Sequence, residues 1–331
     1  MRKSIVVNYA RRLYAKYNLV IPVDLLSLAY RYAQVKFINI PFDIDGISVD
    51  LKVRGKIPKI LVNQEKPINR QRFTLAHEIG HVVIPWHTGT IFDKTDNNYT
   101  SNSVTYWEIE AEANAFATEF LMPEKWIFEL IQKNRDIAII NRLIANEAKV
   151  SPIAACLRLR SILPPGYLFI VQNNSGEIVY TGKSDGTFAD AISIQHSDSI
   201  EEYYSFAESI YKYETNWEIF FWIKFPSELK IPIVNHDEDW RKMLDSILSD
   251  VKCSTQQKIK YKQRINGIIG FANSAIKKVE YTKESLFSAC FQKFKSKTDL
   301  EIITKHKLFE SFLSARIQEV INKAHQAHSR S

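Results

Sequence analysis

The stretch "RQRFTLAHEIGHVVIPWH" at residues 70–87 restricts the fold more than any other part of the chain, because it ties a helix to a chemistry. A helical run from about Asn69 to Ile84 is stopped by Pro85. On such a helix, positions i and i+4 lie one turn apart on the same face, so His77 and His81 present two imidazoles to one point. Glu78 falls about 60° beyond His81 on the same side, close enough to serve a water there without ligating an ion. This is the spacing of zinc hydrolases, although His-Glu-x-x-His also arises by chance on ordinary helices. Catalytic zinc wants three protein ligands and one open position, so the rest of the fold must deliver a third ligand.

Two candidates lie downstream. His87 stands six residues after His81, the distance at which one zinc-protease class places a third histidine. That class needs a glycine three residues after the second histidine so that the chain can turn back, and here Ile84 and Pro85 occupy the turn. The other candidate is in "TYWEIEAEANAFATEFLMP" (105–123), a helix of about Thr105 to Leu121 with four glutamates. With Glu110 as the origin of a wheel at about 100° per residue, Tyr106, Asn114, Ala117 and Leu121 fall within about 40° of it. Glu108, Glu112 and Glu119 fall between about 160° and 200°, which reads as a solvated stripe. Glu110 alone points into the apolar face where the helix must pack, and a carboxylate there costs several kcal/mol unless paired or bound to a metal. Set against the first helix it completes a His₂Glu site, and Asn114, one turn on, can hydrogen-bond a ligand imidazole. The competing reading is a structural glutamate paired with Arg70 or Arg72.

These two segments resemble the ImmA/IrrE family of bacterial metallopeptidases. The resemblance runs from about Pro22 to Leu163 and includes "PVDLLSLA" and "KILVN" ahead of the active-site helix. It implies a zinc-dependent endopeptidase of the gluzincin kind, with His77, His81 and Glu110 as zinc ligands and Glu78 as the catalytic base. It also implies a cytoplasmic protein that cleaves or inactivates a helix-turn-helix repressor of a mobile element or stress response. The sequence departs from the family at Pro85 and Trp86, where members often continue with an apolar turn to another histidine. Tyr106 and His87 are the candidates for stabilising the transition state. "KILVN" is expected to be the sheet edge on which an extended substrate pairs.

The expected architecture is α+β: a zincin-like metallopeptidase domain over 1–163, a mixed α/β sensor-like region over 164–236, and a basic helical part over 237–331. In the first domain, helices at 4–17 and 24–33 precede a small sheet from "VKFINI", "GISVDLKV" and "KILVN", and residues 87–103 read as a polar loop. "PPG" at 164–166 marks the clearest break. Beyond it, "YLFIVQNNSGEIVYTG" reads as a hairpin turning at Asn-Asn-Ser-Gly, and "NWEIFFWIKF" as a buried strand or pair of strands.

The net charge of +7 is uneven: residues 240–331 hold 18 Lys/Arg against 8 Asp/Glu, a surplus of ten, so the remainder carries −3. That surplus is either a solvated helical face or the basis of weak nucleic-acid contact. No apolar run approaches the roughly 20 residues of a membrane helix. The start of the chain does not read as a signal peptide, and three widely spaced cysteines suit a reducing compartment. The alternative to an enzyme is a regulator that keeps the metal site without proteolysis, binding DNA or a partner. The helix pair at 136–163, with Ser151-Pro152 opening its second helix and Arg158 and Arg160 on it, has the form of a helix-turn-helix.

Overall fold

The computed structural model describes residues 2–41, 43–94, 104–191, 199–231, 239–251, 253–277 and 281–328. The chain forms two compact units, Met1–Leu159 and Arg160–Ser331, and its architecture is α+β. Among the described residues no helix is long and apolar enough to cross a membrane.

The first unit opens with α1 (Lys3–Tyr17) and the short α2 (Leu25–Ala29). Asp24 caps α2 by accepting from Ser27 N, and the helix ends four residues earlier than the expected 33. The three expected strands follow as β1 (Gln34–Ile38), β2 (Ile44–Leu51) and β3 (Lys59–Asn63), then α3 (Ile68–Val83). A fourth strand, β4 (Gly89–Lys94), forms where a polar loop was expected; residues 95–103 of that stretch lie outside the described residues. The unit closes with α4 (Val104–Leu121), α5 (Glu124–Lys133), α6 (Ile137–Ala148) and α7 (Pro152–Arg160), which runs into the boundary.

The sheet order is β1-β3-β2-β4, with β1 and β3 parallel and the other pairs antiparallel. This corrects the expectation for "KILVN": β3 is paired on both sides, so its backbone groups are spent within the sheet. The edge beside β2 is β4.

Helix α3 lies on β2 and β3, and α4 packs between α3 and α1. Two glycines set these distances. A Cβ at Gly46 of β2 would stand 2.5 Å from Glu78 Oε1 and 2.6 Å from Thr74 Cγ2. A Cβ at Gly80, inside the histidine motif, would stand 2.9 Å from Phe116 Cδ1 of α4. Phe116 and Phe120 are fully buried and stacked on each other with ring centres 5.3 Å apart. Each such ring contributes about 1.5–3 kcal/mol of burial, so the helix that carries Glu110 is anchored by apolar contact and not by the site itself.

The second unit contains an antiparallel sheet of order β6-β5-β8-β7, from β5 (Tyr167–Asn173), β6 (Ile178–Lys183), β7 (Ser209–Glu214) and β8 (Glu218–Lys224), with the short α8 (Ile200–Tyr203) before β7. The β5–β6 hairpin turns where expected: Gly176 has φ +78°, and Asn173 Oδ1 accepts from Ser175 N and Glu177 N. "NWEIFFWIKF" is one strand, β8. Helices α9 (Trp240–Asp250), α10 (Thr255–Ile276), α11 (Lys283–Lys295), α12 (Glu301–Thr304) and α13 (Phe309–His328) enclose a core that includes Phe287, Phe294, Phe309 and Phe312.

Sheet and helices share one unit here, where two regions meeting near 236 were expected. Phe188, Phe206, Leu229 and Ile231 pack against the helical core, Ser288 Oγ and Gln292 Nε2 both donate to Pro226 O, and Lys293 pairs with Asp190. The Pro-Pro-Gly stretch belongs to this unit as well. Gly166 N donates to Thr187 Oγ1 at 2.8 Å and Gly166 O accepts from Phe225 N at 2.7 Å, so its polar groups are used in the fold and not in a linker.

Candidate metal centre

Helix α3 brings His77 and His81, both fully buried, to an Nε2–Nε2 separation of 2.9 Å. Helix α4 brings Glu110 against them, with Oε2 3.2 Å from His77 Nε2 and Oε1 3.5 Å from His81 Nε2. Ligand atoms held at 2.0–2.1 Å around a tetrahedral zinc stand about 3.3 Å apart, and the imidazole separation and the approaches of the two different Glu110 oxygens lie near that value. The structural pairings considered for Glu110 are not made: Arg70 pairs with Asp45, and Arg72 donates to Ala148 O and Val23 O. Glu110 Oε1 is a buried oxygen with no hydrogen-bond partner. Such an atom is costly unless a cation meets it.

The outer nitrogens of the two imidazoles are also engaged. Asn114 Oδ1 lies 3.0 Å from His77 Nδ1, the contact expected of that residue. As an acceptor it keeps the proton on Nδ1 and leaves the Nε2 lone pair directed inward. His81 Nδ1 lies 2.8 Å from His87 Nδ1. Burial alone would lower His77, but the Glu110 hydrogen bond and the charges of Asp93, Glu110 and Glu78 raise it to about 9. His81 is driven well below its ordinary value by burial and by His77, His87 and Lys52.

Glu78, on the same helix, is fully buried beside this group. Its Oε2 accepts from the Ser48 hydroxyl of β2, and its Oε1 is buried with no partner. Burial pushes its carboxyl up to about 8. Gly46 and Ser48 are two apart on β2 and face the same helix, which is why one can be a glycine under Glu78 and the other a donor to it.

The structure departs from the sequence expectation in several places. Glu112 and Glu119 are not on a solvated stripe, since each is only 3% exposed. The helix face opposite Glu110 is covered by α1, and both carboxylates are satisfied there. Glu119 pairs with Arg11 and Arg158, while Glu112 accepts from Arg2 N, Trp86 Nε1 and, at 3.3 Å, His87 Nε2. Only Glu108 of the three lies exposed. His87 does not face the reacting side, because both of its ring nitrogens are taken up behind His81. Tyr106 donates to Phe92 O at 2.6 Å, on edge strand β4.

Three further residues were not singled out from the sequence. Asp93 of β4, 8% exposed, offers a carboxylate oxygen within 4.8 Å of ligand atoms on His77 and Glu78. Ser48 holds Glu78, and Lys52 Nζ donates to His81 O at 2.5 Å, its own pKa lowered to about 8 by burial. Ser48 was available from the alternation of "GIS". Asp93 needed the pairing of β4 with β2, which sets it opposite Gly46.

Residues 32–160 match the peptidase family M78, described as the IrrE N-terminal-like domain. The similarity to the ImmA/IrrE family lies in this segment, which is under half of the chain. It is 32% identical over 112 residues to the radiation response metalloprotease IrrE of Deinococcus radiodurans, a match that covers 34% of this chain and 34% of that protein. The similarity therefore spans about a third of the relative's length. A Mycobacterium tuberculosis transcriptional regulator of solved structure is 14% identical with a TM-score of 0.39, covering 66% of this chain and 76% of the other. At that level the likeness carries no argument about fold or activity.

Proposed function

We propose that the chain is a zinc-dependent endopeptidase whose chemistry lies in its first unit and whose substrate is one specific intracellular protein, a helix-turn-helix repressor being the leading class. The observation that carries the reading is the pairing of a His₂Glu cluster with a buried Glu78, one oxygen held by Ser48 and the other unpartnered. His77, His81 and Glu110 would hold the metal. When bound, zinc supplies Lewis-acid polarisation of a carbonyl and makes water a stronger acid. Glu78 Oε1 takes the proton from the attacking water and returns it to the amine nitrogen as the peptide bond breaks. Ser48 keeps the carboxylate oriented during both transfers, and Asn114 fixes the His77 ring. An extended substrate would pair with edge strand β4, in the place first assigned to "KILVN".

A cytoplasmic location belongs to the same proposal and rests on the cysteines: Cys156, Cys253 and Cys290 are all free thiols. The cationic surplus of residues 240–331 gives the second unit the charge for weak, salt-sensitive contact with nucleic acid or an acidic partner. The rival reading, DNA binding through α6 and α7, is weakened by Arg158, which donates to Met122 O and pairs with Glu119 inside the first unit. Salt-dependent binding of duplex DNA would favour that rival.

The deciding experiment is Glu78→Gln. The variant should keep its fold and stoichiometric zinc by elemental analysis, and lose cleavage of the partner protein by about 10²- to 10⁴-fold. Cleavage at the parent rate, or relief of repression in cells undiminished by the substitution, would replace hydrolysis with metal-dependent binding.

A further inference from the structure

The exit of α3 accounts for a part of the sequence that the chemistry above leaves unused. Val83 is the last helical residue, Ile84 is extended with ψ 120°, and Pro85 prevents the helix from continuing. The chain then turns, with His87 N donating to Ile84 O at 3.3 Å, and this brings His87 back behind His81, fully buried. Trp86 is fixed beside it. Its indole N–H donates to Glu112 Oε2 at 2.6 Å, its ring meets Tyr9 edge-on, and the Arg2 guanidinium lies 4.7 Å over it.

The donor and acceptor roles along this path follow one from another. Glu112 is an acceptor held by two fixed N–H donors, Arg2 N on Oε1 and Trp86 Nε1 on Oε2. His87 Nε2, 3.3 Å from Oε2, must therefore be the protonated nitrogen. A neutral imidazole protonated at Nε2 has its lone pair at Nδ1. His81 Nδ1, 2.8 Å away, must then carry the proton between them. That assignment leaves the lone pair of His81 on Nε2, the nitrogen that faces His77 and Glu110.

We infer that His87 and Glu112 are positioning residues that set the tautomer and ring orientation of His81 for metal binding, with Pro85 and Trp86 shaping the turn that places them. The inference rests on the metal reading given above and extends it to residues that touch neither the metal position nor a substrate. A carboxylate or histidine behind a ligand imidazole raises its basicity and removes its freedom to rotate, and losing such a partner typically costs about 10- to 100-fold in metal affinity. His87 thus has a role in the centre while being absent from its ligand set.

The test measures zinc affinity by competition with a chromophoric chelator, on full-length chain with circular dichroism recorded alongside. His87→Leu, which fills the volume without an acceptor, should bind zinc about 10- to 100-fold more weakly than the parent. His87→Asn sets an amide oxygen near the position of Nδ1 and should recover most of that loss. Equal affinity of His87→Leu and parent would overturn the inference, and so would an Asn variant as weak as the Leu variant, which would mean that the ring acts by packing. Should His87→Leu fail to fold, long-range ¹⁵N–¹H spectra of the zinc-loaded parent decide. They should show the His81 proton on Nδ1, and a proton on Nε2 would refute the assignment. A parent that takes up no zinc at all would overturn the metal reading itself, an outcome distinct from each of these.

Discussion

Gly46→Ala examines the contact on which the placement of Glu78 depends. The new methyl carbon would lie 2.5 Å from Glu78 Oε1 and 2.6 Å from Thr74 Cγ2, so something has to move. Glu78 cannot swing aside freely, because its other oxygen is held by Ser48 and the group is fully buried. Strand β2 cannot retreat freely either, being paired at this residue with Val62 on one side and Asp93 on the other. Overpacking of this kind costs about 1–3 kcal/mol, offset by the roughly 0.5–1 kcal/mol gained when alanine replaces glycine in a strand. A net loss of about 1–2 kcal/mol should lower the melting temperature of the first unit by roughly 2–8 °C, at the 2–4 °C per kcal/mol expected for its size. Zinc should stay bound, since none of His77, His81 and Glu110 meets the new atom. Substrate cleavage should fall much further than stability, because a displacement of about 1 Å at a proton-transfer group can cost 10²-fold. Calorimetry, elemental analysis and a cleavage assay on the same preparation separate the three effects. Introduced into a Thr74→Ser, Glu78→Ala background, where the clashing atoms are gone, Gly46→Ala should no longer destabilise and should instead gain the roughly 0.5–1 kcal/mol that alanine brings to a strand. A single variant that melts with the parent and cleaves at its rate would show that the close approach of β2 to α3 does not set the position of Glu78.

Glu110→Ala should sharply weaken zinc binding while Glu108→Ala, two residues away on the exposed face, leaves it unchanged; equal behaviour of the two would remove Glu110 from the ligand set. In the second unit, Asp190 joins Lys183, Lys293 and Lys297, and despite burial the hydrogen bonds of Lys293 and Lys297 hold its carboxyl far below the usual range. A pKa depressed by folding contributes stability that is present above the unfolded value of about 3.9 and lost as pH falls below it. Asp190→Asn should therefore destabilise the second unit by about 1.5–3 kcal/mol at neutral pH, the value of hydrogen bonds to a charged group, and the gap between variant and parent should narrow in acid titrations monitored by fluorescence. A gap that widened toward low pH would contradict the assignment.

How far the site was legible can be argued from helix α4. Its period separates Glu110 from Glu108, Glu112 and Glu119, because 3.6 residues per turn is a property of the helix itself. That period does not say what covers the opposite face. The cover is α1, about a hundred residues earlier in sequence, and its arrival turns Glu112 and Glu119 from solvated side chains into buried acceptors. The same distinction explains the sheet. "KILVN" is readable as a strand from its β-branched residues, but its central place depends on β1 joining it in parallel on the side away from β2, a matter of connection and not of local pattern. Strand β4 is not legible locally because "GTIFDK" has too few apolar residues to stand out from a polar stretch; its pairing with β2 supplies the hydrogen bonds that its composition does not advertise. Both contributions meet at the candidate metal centre. Asp93 arrives with β4, and the His87–Glu112 contact arrives with the face of α4 that seemed to point at water. The candidate ligands are therefore legible where one helical period is enough, and the groups packed behind them become legible only once separate elements are brought together. A motif search that stops at His77, Glu78, His81 and Glu110 passes over the role of His87, which stands at the six-residue distance of a third ligand but meets the His81 ring from behind.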